Sequence, residues 1–201
     1  MNGNNYEKVY ETLWSRVCDL DLVRSAVPLG GRDPGDGSVE MTFLDEPVRV
    51  SREGIRDGRG RSPHEAVRIV LCHYLLRGGR AALSNAWSSY RELEDSAFFM
   101  PNFKANVERR ISREFAERIG DLDRAVLRIG GCSHAGVPSA DGAWTLAVLP
   151  RIPVLLLFND RDEEFPADAG LLFDRSADVF LDAECLAVVG WIVAERLCGS
   201  P

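Results

Sequence analysis

The sequence predicts an α+β fold, a small antiparallel sheet packed with several helices and preceded by an amphipathic N-terminal helix. Three observations carry this. Two strand-like runs, AWTLAVL and VLLLF, are joined only by PRIP, and a third short run, GLLFD, follows soon after. Connections this short favour antiparallel pairing, because a parallel crossover needs a dozen or more residues. Helical periodicity is clear over 104–129, and CLAVVGWIVA near the C-terminus is apolar nearly all round, as a core helix is.

Taken in order, Tyr6, Val9, Tyr10, Leu13, Val17 and Leu20 recur at helical spacing, with Asn4 or Asn5 available as an N-cap. The segment PLGGRDPGDGS (28–38) is a loop by composition. VEMTF and VRVS flank LDEP and predict a short hairpin, and REGIRDGRGRSP is again loop-like. EAVRIVLCHYLL, within 64–76, predicts a helix buried on more than one side. Residues 81–99 lack regular periodicity, although Trp87, Tyr90, Phe98 and Phe99 are expected to pack.

Over 104–129, Val107, Ile111, Phe115, Ile119, Leu122, Val126 and Ile129 make one apolar stripe, predicting a single long helix. Gly130 and Gly131 suit its C-terminus, since glycine accepts the left-handed conformation without a Cβ penalty. Pro150 and Pro153 cannot donate to a sheet ladder, so PRIP marks a break or sharp bend. Asp182 is placed to cap the last helix, which runs through Leu197.

The chain has 201 residues with 45% hydrophobic content, enough for one sizeable core. No apolar run reaches the roughly 18 residues a membrane-spanning helix requires. The start, MNGNNYEKVYETLW, lacks the basic and apolar regions of a secretory signal, so the expected location is the cytoplasm, with no membrane partner. A net charge of −7 argues against a nucleic-acid partner, since phosphate affinity comes from surplus Lys and Arg. Lys8 and Lys104 are the only lysines among 24 basic residues, a bias that fits genome composition. Cys18, Cys72, Cys132, Cys185 and Cys198 are scattered and odd in number, without a CxxC pair, which predicts reduced thiols.

The blocks LCHYLL (71–76), LPRIPVLLLF (149–158), DEEFPADAGLLFD (162–174) and DVFLDAECLAVVG resemble an uncharacterised family of anaerobic bacteria and archaea catalogued as domain of unknown function 3786. The resemblance runs over about 63–197 and is less clear in the first sixty residues. Two readings of the organisation stay open: an N-terminal helix and hairpin subregion (1–62) with a main α+β body (63–201), or one continuous domain. Members that carry or lie near iron–sulfur or corrinoid proteins imply an accessory role in anaerobic metabolism. This chain has no Cys-rich iron–sulfur segment, so no cluster is carried over and no cofactor is expected.

The foremost candidate site is acidic: Asp160, Asp162, Glu163, Glu164, Asp168 and Asp174 fall within fifteen positions. Hard cations take oxygen ligands, and two carboxylates forced together make a general acid. Asp160, Asp162 and Glu164 imitate the start of a calcium loop, but Phe165 stands where the turn needs Gly and Leu171 where a bidentate Glu belongs. A solvated turn is the simpler explanation of the acids, and no metal is assigned. Flanking apolar runs and Phe165-Pro166 brace the loop, as a site requires.

GGCSHAG (130–136) imitates a nucleophile elbow in the wrong context, because a helix precedes it and a strand follows. Cys132 and His134 offer a thiolate–imidazole pair or soft-metal ligands, and Cys72-His73 could join them in space, although core packing is the simpler role for both. Arg49, Arg52, Arg56, Arg59 and Arg61, interspersed with Gly54, Gly58 and Gly60, offer guanidinium forks to an anion or make a solvated connection. Trp14, Trp87, Trp144 and Trp191 are read as core.

The expected function is that of a soluble accessory or ligand-binding protein. Its recognition surface is the loop 160–174, with Asp160, Asp162, Glu163, Glu164 and Asp174 facing a protein or small-molecule partner. The alternatives are a metal-dependent or acid/base enzyme using the same carboxylates, and an interaction protein that docks through helix 104–129.

Overall fold

A computed structural model describes residues 3–199, with the side chains of residues 6–199. Helix α1 (Gly3–Cys18) buries Tyr10, Leu13 and Val17, whereas Tyr6 and Val9, on the same predicted stripe, stay exposed. Asn4 and Asn5, expected as caps, lie inside the helix, which already begins at Gly3, so neither stands at the N-cap position. Asp21 caps the short α2 (Leu22–Ala26) by accepting from the Arg24 N–H.

The expected hairpin forms: β1 (Val39–Phe43) and β2 (Glu46–Ser51) pair antiparallel. It also extends, since β3 (Gly54–Asp57) pairs with β2 inside the stretch read as a loop. Ile55, buried opposite Val50, anchors this third strand, and one apolar residue among four gives no periodicity to read. Helix α3 (Glu65–Arg77) starts at His64, whose ring accepts from the Ala66 N–H, and ends at Gly78 in the left-handed region (φ 59°).

The long helix predicted over 104–129 is two helices. After α4 (Met100–Phe103), a π-helical turn at Lys104–Glu108 leads into α5 (Arg109–Phe115), and α6 (Ile119–Arg128) begins after a break. At the break Glu117 is left-handed (φ 62°), and its N–H donates to the Asp160 carboxylate instead of a helical carbonyl. The apolar stripe continues across the break: Val107, Ile111, Phe115, Leu122, Val126 and Ile129 are all buried. The stripe is therefore spent on the chain's own core, which removes it as an exposed docking face.

The predicted sheet runs in the order β4-β8-β7-β6-β5, every neighbour antiparallel: β4 (Trp87–Ser89), β5 (Cys132–Ser133), β6 (Gly142–Leu149), β7 (Ile152–Asn159) and β8 (Asp168–Asp174). Pro150 lies in the β6–β7 turn, and Pro153 stands opposite Ala147, where the register shifts. A bulge there accommodates the missing donor. The backbone N–H of Leu44 donates to the Val148 carbonyl at 2.9 Å, which ties the three-stranded sheet to the five-stranded one.

After α7 (Ala177–Phe180), Asp182 caps α8 (Ala183–Cys198) by accepting from the Cys185 N–H at 2.8 Å. Helix α8 is the core helix expected, and Gly190 on it faces the edge of the Phe103 ring, where a Cβ would collide. Phe103 stacks on Tyr90 with ring centroids 4.1 Å apart, and the Tyr90 hydroxyl donates to the Ala183 carbonyl at 2.7 Å. Phe98, expected to pack, is instead 86% exposed. One hydrophobic cluster joins residues from Tyr10 to Leu197. Among the described residues, no helix is long and apolar enough to cross a membrane.

Candidate functional site

Strands β7 and β8 pair from Asn159↔Asp168 to Val154↔Phe173, so residues 160–167 form the turn at one end of the ladder. The turn is held from both sides. The Asp160 N–H donates to the Asp141 carboxylate (2.8 Å), while the Asp160 carboxylate accepts from the Glu117 N–H (2.6 Å) and the Arg161 N–H (2.8 Å). Asp162 accepts from the backbone N–H groups of Phe165 (2.7 Å) and Glu164 (2.8 Å), and these donors hold its carboxyl below the usual carboxylate range. Asp160 and Asp162 are thus fasteners of the turn, because their oxygens answer backbone donors that the bend would otherwise leave open.

Glu163, Glu164 and Phe165 project from this fastened backbone and are exposed, Phe165 to 66%. They border a groove of about 390 Å³ whose opposite wall is Ser112, Arg113 and Ala116 at the end of α5. The bond from Glu117 to Asp160 fixes one wall against the other, so the groove is preformed. Neither Glu163 nor Glu164 has an ion-pair partner among the described residues, whereas Arg161 faces Glu117 at 3.6 Å.

Asp174 does not join them. It ends β8 at the far end of the ladder, and with 1% exposure it is buried. Its carboxylate accepts from the N–H and hydroxyl of Ser84 (3.0 and 2.9 Å), the N–H of Asn85 (2.8 Å), and the N–H and hydroxyl of Ser176 (2.9 and 2.6 Å). Burial alone would raise its pKa, but the donors from Ser176 and Ser84 outweigh burial and bring it down to about 2. Asp168 pairs with Asn159 at the start of β8 and is exposed. The structure therefore brings Asp160, Asp162, Glu163 and Glu164 together on one turn and leaves Asp174 apart.

Glu108, in the π-helical turn, was not singled out by sequence. It is half-buried, and burial pushes its carboxyl upward against a donor from the Leu171 backbone. Nothing in its spacing marks it, because its burial comes from β8 lying across the turn.

The other candidates separate. Cys132 and His134 lie on and beside the edge strand β5, and both face Thr145, with His134 Nδ1 3.3 Å from its hydroxyl. Cys72 is buried, and burial pushes its thiol up to about 12. The arginines of 49–61 do not converge: Arg49 pairs with Asp36, Arg61 with Asp57 at 3.1 Å, and Arg56 donates to the Ser62 hydroxyl at 2.7 Å. Trp144 is buried and donates to Asp123 at 2.8 Å, while Trp14, Trp87 and Trp191 are half-buried.

His73 meets partners that its sequence neighbours did not suggest. Its ring, the Asp182 carboxylate and the Cys185 thiol lie with their ligand atoms all within 4.8 Å of one another, across the contact of α3 with α8. Sequence assigned Asp182 to a helix cap and Cys185 to the core, and both assignments hold. Only the tertiary contact brings His73 to them.

A family model described as a domain of unknown function (DUF3786) matches residues 21–196, so the chain belongs to that family. No curated protein and no solved structure matches the chain.

Proposed function

We propose that this member of the DUF3786 family is a non-catalytic accessory protein of the cytoplasm that recognises a basic segment of a protein partner through the groove at the β7–β8 turn. The observation that carries the reading is the division of labour in the turn. Asp160 and Asp162 are consumed in fixing its backbone, while Glu163, Glu164 and Phe165 are left projecting at the rim. A rigid rim presents its side chains with little ordering cost on binding. Two unpaired carboxylates beside an exposed aromatic ring suit an Arg or Lys, whose head meets the acids while its stem or face covers the ring. A net charge of −7 adds long-range attraction for a cationic partner. An accessory role in anaerobic metabolism is what the family resemblance adds.

The enzyme reading of the same carboxylates has less support. Two of them already answer backbone donors and two point into solvent, so no two are held carboxyl against carboxyl as an acid/base pair would be. The test is selection of random displayed peptides on the wild-type protein, with counter-selection on a Glu163→Gln/Glu164→Gln/Phe165→Ser variant. Peptides with basic residues beside an apolar one, lost on the variant, support the function. Equal enrichment on both proteins refutes it.

A further inference from the structure

We propose that His73, Asp182 and Cys185 form a site for a borderline-soft divalent transition ion of the zinc type, with one coordination position open to an anionic ligand. The site is distinct from the acidic turn. Its three ligand atoms, an imidazole nitrogen, a carboxylate oxygen and a thiol sulfur, already lie within 4.8 Å of one another. Tetrahedral zinc is bound at about 2.0–2.3 Å by this ligand set, so a modest rotamer adjustment closes the three onto one ion.

Two features position the ligands. Asp182 and Cys185 are the N-cap and third residue of α8, and the cap bond from the Cys185 N–H to Asp182 Oδ1 uses one carboxylate oxygen and leaves Oδ2. The positive end of α8, a helix of 16 residues, favours the Asp182 carboxylate, and a bound divalent ion displaces the proton that burial and the neighbouring Asp182 and Glu184 charges keep on the Cys185 thiol. His73 reaches them from α3, which packs on α8. A sulfur and a nitrogen among three ligands select against Mg²⁺ and Ca²⁺, which take oxygen.

A cavity of about 170 Å³ opens over His73 and Asp182, and Arg16 and Arg77 also line it. That space exceeds the roughly 30 Å³ a single water occupies, so it admits an ion with an exogenous ligand. The charges decide what that ligand is. A divalent ion with one thiolate, one carboxylate and a neutral imidazole is neutral, and Arg16 and Arg77 then make the cavity positive. Arg77 is held there by donating to the carbonyls of Asp178 (2.7 Å) and Val179 (3.2 Å). An anion such as a small carboxylate fits the open position. Three protein ligands with a fourth position free is the arrangement of an ion that binds or activates a ligand, as opposed to a closed structural site.

Cobalt(II) tests this directly, because a thiolate ligand gives a near-ultraviolet charge-transfer band and low-symmetry coordination gives visible d–d bands. The wild-type protein, purified without metal under reducing conditions, should take up one equivalent of Co²⁺ with both features and release it to Zn²⁺. Cys185→Ser should lose the charge-transfer band. His73→Gln and Asp182→Asn should weaken binding by at least the roughly 10- to 100-fold that loss of even a supporting group costs; the Asn keeps the helix cap, so its effect is not unfolding. Cys132→Ser and Asp160→Ala should bind as wild type, and acetate should shift the visible bands less in Arg16→Ala than in wild type. Absence of a charge-transfer band in wild type, its persistence in Cys185→Ser, or its loss in Cys132→Ser would overturn the site. An acetate response equal in Arg16→Ala would overturn the anionic fourth ligand.

Discussion

The carboxylate of Asp174 accepts from both the backbone N–H and the hydroxyl of Ser84, 90 positions earlier in the chain, at 3.0 and 2.9 Å. This contact fastens the segment that leads from α3 into β4 onto the end of β8. A buried carboxylate with this many donors is a structural tie that behaves as an acid-labile one.

Asp174→Asn should therefore destabilise the fold without touching the acidic turn. The amide cannot accept at both positions, so one donor among Ser84, Asn85 and Ser176 is orphaned, at a cost of about 1–3 kcal/mol. The sign for pH follows from a folded pKa of about 2 lying below the ordinary 3.8. The charge contribution, about 2 kcal/mol, is present above pH 3.8 and lost as pH falls through about 2. Urea unfolding across this acid window should show that loss in the wild type and a flatter profile in Asp174→Asn.

Glu108 has the opposite sign. Burial raises its folded pKa above the ordinary value of 4.5, so the stability tied to its protonated form is full below 4.5 and lost as pH rises through the folded value. Glu108→Gln should melt at a higher temperature than wild type at pH 7, and the difference should shrink on acidification. A lower melting temperature at pH 7 would mean that the Leu171 donor outweighs burial.

Gly190→Ala puts a Cβ against Phe103, and Phe103 is held by its stack on Tyr90 at 4.1 Å. In a free helix the same change would stabilise, since Gly costs about 0.5–1 kcal/mol relative to Ala. Here overpacking should dominate, with a net loss of about 1–3 kcal/mol. Thermal unfolding of Gly190→Ala beside a Gly190→Ala/Phe103→Leu double variant checks this, since the smaller side chain should recover part of the loss.

The two roles within the acidic turn should separate. Asp162→Ala removes the acceptor for the Glu164 and Phe165 N–H groups, so amide exchange over 161–166 should accelerate. Glu163→Gln/Glu164→Gln should leave exchange and melting temperature unchanged, because surface substitutions away from tied groups usually act within about 0.5 kcal/mol. Faster exchange in the double variant would mean that these side chains also hold the turn.

Much of the fold was legible where one period dominated. The runs that became β6, β7 and β8, the cap at Asp182 and the apolar α8 follow from local pattern. The break at Glu117 did not, because the helical stripe keeps its phase across it and the acceptor that receives the freed N–H, Asp160, lies in another element. The third strand was hidden by having Ile55 as its one buried apolar side chain. In the acidic segment, sequence located the turn but was not read finely enough to separate the fasteners, Asp160 and Asp162, whose short side chains reach backbone N–H groups, from the longer Glu163 and Glu164 that project. Asp174 looked like a member because β8 is short in sequence, although its length in space carries that carboxylate to the far end of the ladder. The convergence of His73 with Cys185 depends wholly on how α3 packs against α8.

The central claim, that the projecting side chains of the acidic turn bind a basic segment, is tested most directly by the affinity and salt dependence of a selected peptide. The account predicts that a peptide enriched on the wild type binds it at low salt, weakens steadily as salt rises, and loses most of its affinity on Glu163→Gln/Glu164→Gln while the protein's melting temperature is unchanged. Binding that is indifferent to salt and to those two substitutions would contradict it.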